Sequence, residues 1–222
     1  MRTNIDYQIV ADRVGAIKEQ VSSKSDTPVT IMAVTKGFGV EAVKAANHAG
    51  INDFGENYAQ EMLTKQSLLK ESSKHSELLW HFIGNLQRNK VRKIADQVCK
   101  WHSVDSLPLG MEIAKRSAKP KVLVQVNMTG AKEQGGVDPT TAPILVDELL
   151  GRGVDVVGLM TIGDHADRNA TLIHFQELKK MTRMLNLTEC SMGMSGDYDL
   201  AIEAGTTILR LGTAIFGNRD DG

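Results

Sequence analysis

The chain of 222 residues has the length of one large globular domain, and its formal net charge of −1 gives no field that would attract nucleic acid or a membrane surface. No apolar run is long enough to span a bilayer, and the N-terminal segment alternates polar and apolar side chains without the apolar core of a secretory signal. We therefore expect a cytoplasmic protein in which the two cysteines, Cys99 and Cys190, stay reduced.

The first predicted element is an amphipathic helix whose apolar face carries Ile5, Ile9, Val14, Ile17 and Val21. Short apolar runs then alternate with segments of helical period. The predicted strands cover residues 29–36, 52–55, 79–83, 101–104, 121–126, 154–160, 189–192 and 208–211. The predicted helices between them cover residues 41–49, 58–69, 89–98, 108–117, 141–150, 170–185 and 198–204, and a short helical turn follows residue 212.

Strands that are each followed by a helix or a turn indicate a parallel α/β sheet. The count of eight favours a closed (β/α)₈ TIM barrel over an open doubly wound sheet, with the first helix as an addition to the repeat. No linker, low-complexity tract or break in composition interrupts the chain, so residues 1–222 are predicted to form a single domain. In such a barrel the active site lies at the C-terminal ends of the strands, and phosphate often binds after strands seven and eight.

Two turns near the C-terminus have the composition of a phosphate site. Gly193-Met194-Ser195-Gly196 follows the seventh predicted strand and Gly212-Thr213 follows the eighth, so each turn places a glycine and a hydroxyl before a helical start. Backbone N–H groups at a helix N-terminus, with a hydroxyl beside them, suit a phosphate dianion. Ser195 or Thr213 alone is more simply interpreted as an ordinary helix N-cap, but the two turns together favour phosphate.

Two cationic side chains end strands at the same edge of the barrel. Lys36 ends the first predicted strand, where a partly desolvated amine could attack a carbonyl group. Arg210 lies two residues before Gly212 and so faces the barrel interior, where its guanidinium needs an acceptor. That acceptor is either Glu56 or Glu203 in a structural salt bridge, or an atom of a bound ligand.

Other kinds of site have weaker support. The six histidines contain no H-x-x-H or H-x-x-x-H pair, so no metal site is predicted. The basic segment 89–100 has no aromatic run beside it for stacking bases and is interpreted as a solvated helix face. Residues 37–42 fit the G-x-G-x-x-A turn of a dinucleotide site, with Glu56 at about the spacing of a ribose-binding acid, but so short a pattern often arises by chance.

Several longer motifs together resemble one known family. They are AVTK, DFGENYAQE, WHFIGNLQRNKVRKI, VNMTG, GLMTIG and MGMSGDYDLAIEAGTTILRLGTAIFGNR, and they run in order from Thr30 to Arg219. This pattern is similar to that of the pyridoxal-phosphate homeostasis protein family, also called the proline synthase co-transcribed family. The resemblance implies a barrel like that of alanine racemase, with pyridoxal 5′-phosphate bound as a Schiff base.

The resemblance also implies a role for individual positions. The implied cofactor-binding residues are Lys36 for the Schiff base, Ser195, Gly212 and Thr213 for the phosphate, Arg210 for the pyridine nitrogen, Asn57 and Met194 along the cofactor, and His81 near the same mouth. The sequence departs from the family at Gly37-Phe38-Gly39, where Thr-x-Pro is common after the lysine, and at Gln134-Gly135-Gly136, where a lysine often precedes the glycine. The first departure falls in the loop beside Lys36.

Finally, the resemblance implies a carrier of pyridoxal phosphate that acts in vitamin B6 homeostasis and amino-acid balance, with apo-B6 enzymes as recipients. The racemases of this fold carry a further β domain with a second base, and no such domain is expected here after Phe216. Lys36 is then the one named acid–base group. Without the second domain, a monomer is expected. The alternatives are a weak amino-acid racemase or other fold-type III B6 enzyme, using His81 or Tyr58 as a further base, and a Schiff-base aldolase that uses Lys36 without a cofactor.

Overall fold

The computed structural model describes residues 5–70, 78–164 and 166–218. In this part of the chain eight parallel strands close into a barrel in the order β1 to β8, which confirms the predicted fold. The strands are β1 Thr30–Val34, β2 Asp53–Glu56, β3 Leu79–Phe82, β4 Lys100–Val104, β5 Lys121–Gln125, β6 Asp155–Met160, β7 Glu189–Ser191 and β8 Ile208–Leu211. The start of the chain before Ile5, together with His75, His165 and Arg219, lies outside the described residues.

The helices alternate with the strands as predicted. They are α1 Tyr7–Lys24, α2 Val40–His48, α3 Ala59–Lys70, α4 Arg88–Ile94, α5 Leu107–Arg116, α6 Ala142–Leu150, α7 Arg168–Met184, α8 Tyr198–Glu203 and α9 Thr213–Phe216. The helix predicted over 89–98 ends early because Ile94 leaves the α-helical region, and the chain continues as a 3₁₀ turn over Ala95–Gln97. The helical turn expected after Gly212 is α9.

The buried face of α1 differs from the predicted one. Asp6 caps the helix by accepting the N–H groups of residues 8 and 9, and the residues buried beyond it are Val10, Val14, Ile17 and Val21, at spacings of four, three and four. Ile9 is 47% exposed, so its assignment to the apolar face is wrong. This face packs α1 against α2, α8 and α9, over the junction where β8 pairs with β1.

The strands separate an apolar outer layer from an interior that is partly polar. The ring pairs Phe54–Trp80 and Phe82–Trp101 belong to the hydrophobic cluster between the barrel and its helices. By contrast, His102 of β4 bonds Ser191 of β7, and because these strands are not neighbours the bond must cross the inside of the barrel. Polar groups are therefore available inside the barrel beneath its C-terminal mouth.

The cysteines are poorly placed for redox chemistry. Both are free thiols, and burial raises the pKa of Cys99 to about 12 and that of Cys190 to about 11, which keeps them protonated and weakly nucleophilic.

Within the described ranges, no helix combines the length and apolar character that crossing a bilayer requires.

Candidate functional site

A cavity of about 290 Å³ opens at the C-terminal ends of the strands. Parallel strands in a barrel bring their carboxyl ends to one rim, so residues far apart in sequence meet there. Seven of the eight residues predicted to contact a cofactor line this cavity: Lys36, Asn57, Met194, Ser195, Arg210, Gly212 and Thr213. The cavity therefore combines an amine, a guanidinium, a carboxamide and two hydroxyl groups.

Lys36 reaches the cavity because of strand alternation. Val34 and Lys36 both line the cavity, whereas the Thr35 side chain between them points the other way and donates to Glu56. After Lys36, Gly37 adopts a φ of 74°, a conformation that favours glycine, and its N–H donates to the Glu61 carboxylate at 2.9 Å. Gly37 thus forms a turn directly after Lys36, and a bond to α3 holds that turn.

A buried ion pair supports the same loop from behind. The Lys65 ammonium of α3 donates to the Glu56 carboxylate and, at 2.6 Å, to the carbonyl oxygen of Thr35. Burial raises the pKa of the Glu56 carboxyl group, although the attraction of Lys65 partly opposes that rise. Since Glu56 is fully buried in this pair, both of its sequence interpretations, as an acceptor for Arg210 and as a ribose-binding acid, are wrong.

Arg210 finds its acceptors elsewhere. Its guanidinium is buried and donates to Ser191 Oγ at 2.8 Å and to the carbonyl oxygen of Thr161 at 2.7 Å. Burial lowers the pKa of Arg210 to about 10, so it stays a cation at neutral pH. Glu203, the other suggested partner, is exposed. These bonds use two of the five N–H groups of the arginine, which also lines the cavity, so its guanidinium has further donors to offer a ligand there.

The two glycine-containing turns meet through Ser195. Its hydroxyl oxygen accepts the backbone N–H groups of Gly212 at 3.2 Å and Ala214 at 3.0 Å, at the start of α9. Ser195 is therefore not the N-cap of the helix that follows it, since Asp197 holds that position before α8. Both turns thus direct polar groups to one point on the cavity wall, which suits an anion with several oxygen atoms.

His81 does not line the cavity with the other predicted residues. Its ring lies inside the barrel, where Nδ1 contacts His102 at 3.0 Å and Nε2 contacts the Asp53 carboxylate at 2.9 Å. Asp53 begins β2, so this side chain extends toward the N-terminal end of the barrel, and its expected position at the mouth is wrong. Tyr58, named as a further base, lines a neighbouring cavity and is 61% exposed.

The cavity residues fit a phosphorylated aromatic aldehyde. Asn57 Oδ1 is buried and has no hydrogen-bond partner among the described residues, as expected for a group that a ligand completes. The apolar wall against which a ring would lie comes from residues that the sequence interpretation missed: Val34, Ile83, Met160 and Ile162. Their signal was strand alternation, since Val34 lies two residues before Lys36 and Ile162 two residues after Met160.

Gly84 packs directly against the backbone of Asn57, and a side chain there should disturb the site. A Cβ atom at Gly84 would lie 2.2 Å from the Asn57 carbonyl oxygen, which belongs to the backbone and cannot rotate away. We expect Gly84→Ala to lower the free energy of unfolding by about 1–3 kcal/mol in denaturant titrations. Gly15→Ala is the matched control, because a Cβ there meets no atom within 4 Å and the residue lies in α1, where alanine favours the helix. Equal free energies for both variants would contradict this prediction.

Comparison with known proteins gives a consistent set of relatives. The family model described as "Alanine racemase, N-terminal domain" matches residues 5–220. A protein of Vibrio cholerae named pyridoxal phosphate homeostasis protein is 37% identical over 214 residues, which cover 91% of this chain and 90% of that protein. PipY of Synechococcus elongatus, solved with PLP bound, is 30% identical with a TM-score of 0.81, and the match covers 94% of this chain and all of that chain (100%). Alanine racemase from Corynebacterium glutamicum shares the fold, with a TM-score of 0.68 at 16% identity, and the match covers 97% of this chain and 62% of the racemase.

Proposed function

Because the chain belongs to the pyridoxal phosphate homeostasis protein family, which has the alanine racemase N-terminal domain, we propose that it binds pyridoxal 5′-phosphate in the cavity at the strand ends. The observation that carries this proposal is the meeting, in one cavity, of the Lys36 amine, the Arg210 guanidinium and the Ser195 turn. The PLP bound to PipY supports it. Residues 1–222 would then form one cofactor-binding domain.

Each polar group of the cavity has a role in this proposal. Lys36 supplies the amine for a Schiff base with the cofactor's aldehyde group, and Ser195, Gly212 and Thr213 bind the phosphate. Arg210 donates to the pyridine nitrogen, while Asn57 and Met194 lie along the cofactor. Bound pyridoxal phosphate supplies an electron sink for carbanion chemistry. Arg210 has only donors to offer, so it keeps the ring nitrogen an unprotonated acceptor, which weakens that sink.

We further propose that the protein is a carrier or reservoir and not a robust enzyme. Among the described residues that line the cavity there is no carboxylate, histidine or tyrosine, so no second acid–base group stands opposite Lys36. Racemisation needs a proton donor and a proton acceptor on the two faces of the substrate. The function that remains is storage and delivery of pyridoxal phosphate to apo-B6 enzymes, by a monomer inside the cell, in support of vitamin B6 homeostasis and amino-acid balance.

Two assays on the same loaded protein test this function. After incubation with pyridoxal phosphate and removal of the excess, we expect a yellow protein that restores activity when mixed with an apo-B6 enzyme. We also expect deuterium from solvent to exchange at the Cα of amino acids no faster than with Lys36→Ala protein. Failure to take up the cofactor would overturn the proposal, and exchange at enzyme-like rates that depend on Lys36 would indicate a racemase or another fold-type III B6 enzyme instead.

A further inference from the structure

A continuous line of hydrogen-bonded side chains crosses the barrel interior from the candidate cofactor cavity to the opposite end. Arg210 donates to Ser191 at 2.8 Å, and Ser191 contacts His102 Nδ1 at 3.0 Å. His102 Nε2 lies 3.0 Å from His81 Nδ1, and His81 Nε2 lies 2.9 Å from Asp53 Oδ1. The line thus joins strands β8, β7, β4, β3 and β2.

With both rings neutral, the carboxylate end of this line fixes the direction of every bond. A carboxylate can only accept, so His81 carries its proton on Nε2, donates it to Asp53 and accepts at Nδ1 from His102 Nε2–H. His102 Nδ1 is then unprotonated and accepts the Ser191 hydroxyl proton, while Ser191 accepts from Arg210, which can only donate. The Nε2–H tautomer of both histidines is therefore the arrangement in which neutral rings make every bond of the line.

The surroundings of the line agree with this assignment. His102 is fully buried, and burial lowers its pKa well below the ordinary value, with the charge of Arg210 adding to the effect, so its ring stays neutral. Ser191 and His81 are also buried, whereas the Asp53 side chain is 24% exposed. Asp53 lines a second cavity, of about 630 Å³, at the N-terminal end of the barrel. The middle of the line is thus buried, while Arg210 lines the cofactor cavity at one end and the partly exposed Asp53 carboxylate lines the second cavity at the other.

We propose that Asp53, His81, His102 and Ser191 are positioning residues that hold the Arg210 guanidinium in the orientation it presents to a bound cofactor. The direction of each hydrogen bond in the line fixes the direction of the next one. Removal of the Asp53 carboxylate therefore lets both histidine rings reorient, and the Ser191 hydroxyl then holds Arg210 less firmly. A change at the far end of the barrel therefore reaches the cofactor cavity without touching it. The tautomers concern the chain alone, whereas the effect on the cofactor rests on the proposed function.

The first measurement uses the full chain without cofactor. Two-bond ¹H–¹⁵N NMR spectra distinguish the tautomers of neutral histidines, and we expect His81 and His102 both to be protonated on Nε2. In Asp53→Leu, which removes the acceptor, we expect the His81 and His102 signals to show exchange between tautomers. A charged ring, or protonation of either histidine on Nδ1 in the unsubstituted chain, would overturn the proposal.

The second measurement uses protein loaded with pyridoxal phosphate. In Asp53→Leu we expect a shifted absorbance maximum of the bound cofactor and about 2- to 30-fold weaker binding, while Asp53→Glu, which keeps the carboxylate, restores both. The matched control is Asp155→Asn, because Asp155 also begins a strand but is exposed and takes no part in the line, and we expect it to leave the spectrum and the affinity unchanged.

The outcomes separate the two proposals. If the unsubstituted chain takes up no pyridoxal phosphate, the proposed function fails, and the NMR spectra still decide the tautomers. If it binds the cofactor normally, but Asp53→Leu and Asp155→Asn give the same spectrum and affinity as the unsubstituted chain, the positioning role is wrong while the proposed function stands. Should Asp53→Leu fold poorly, Ser191→Ala breaks the line next to Arg210 and is expected to give the same shift in absorbance.

Discussion

Lys36→Ala protein is expected to lose covalent attachment of pyridoxal phosphate completely. Lys36 is the one lysine among the described residues that line the cavity, so its amine alone can reach an aldehyde held there by the Ser195 turn. The absorbance of the Schiff base should disappear, and after borohydride reduction mass spectrometry should find the cofactor on no cavity peptide. Unsubstituted protein treated in the same way should carry it on the peptide that contains Lys36.

The controls for this result are two other lysines with defined surroundings. Lys44 lies on α2, pairs with Glu41 and lines no part of the cavity, so Lys44→Ala should keep full labelling. Lys65 is buried, and its ammonium donates to Glu56 and Thr35, which leaves it unable to act as a free nucleophile. Labelling of Lys65, or retention of the absorbance in Lys36→Ala, would contradict the assignment of Lys36.

The barrel and much of the site could be predicted because both depend on patterns that are local in sequence. Short apolar runs alternate with helical periods, and a closed parallel barrel brings all the strand ends to one rim. Lys36, Ser195 and Gly212 lie at or within a few residues of the ends of their strands, so their positions needed no knowledge of side-chain packing. The location of residues at strand ends can therefore be predicted from the local sequence alone.

Side-chain direction and pairing were harder to predict. The family resemblance places His81 near the mouth, but its bonds to His102 and Asp53 direct it toward the other end of the barrel. Glu56 ends β2 beside the cavity, yet strand alternation directs its side chain outward beneath α3, where it pairs with Lys65. Such choices depend on contacts between residues distant in sequence, which no local pattern records.

The buried Glu56–Lys65 pair connects the stability of the fold to the position of Lys36. Lys65 bonds the carbonyl oxygen that precedes Lys36, and Glu61 accepts the N–H group that follows it. Both residues belong to α3, so this helix holds the loop on either side of the candidate Schiff-base lysine. A loss of Lys65 should therefore affect both the unfolding free energy and the affinity for the cofactor.

Lys65→Met is expected to lower the free energy of unfolding by about 3–5 kcal/mol near neutral pH, because it leaves the Glu56 carboxylate buried without its cation. Burial already raises the folded-state pKa of Glu56 above 4.5, and loss of Lys65 raises it further. The folded variant therefore binds the Glu56 proton more tightly than the unfolded chain does. Its free energy of unfolding relative to that of the unsubstituted protein is thus greatest at low pH, and it falls as pH rises through the raised pKa of Glu56. Denaturant titrations across that range should show the difference growing from pH 4.5 toward neutrality.

Adding Glu56→Gln to Lys65→Met removes the buried charge and should recover most of the loss, whereas Lys93→Met on the exposed face of α4 should cost little. A difference that is independent of pH, or one that the double variant does not reduce, would show that Lys65 stabilises the fold by packing and not by neutralising Glu56.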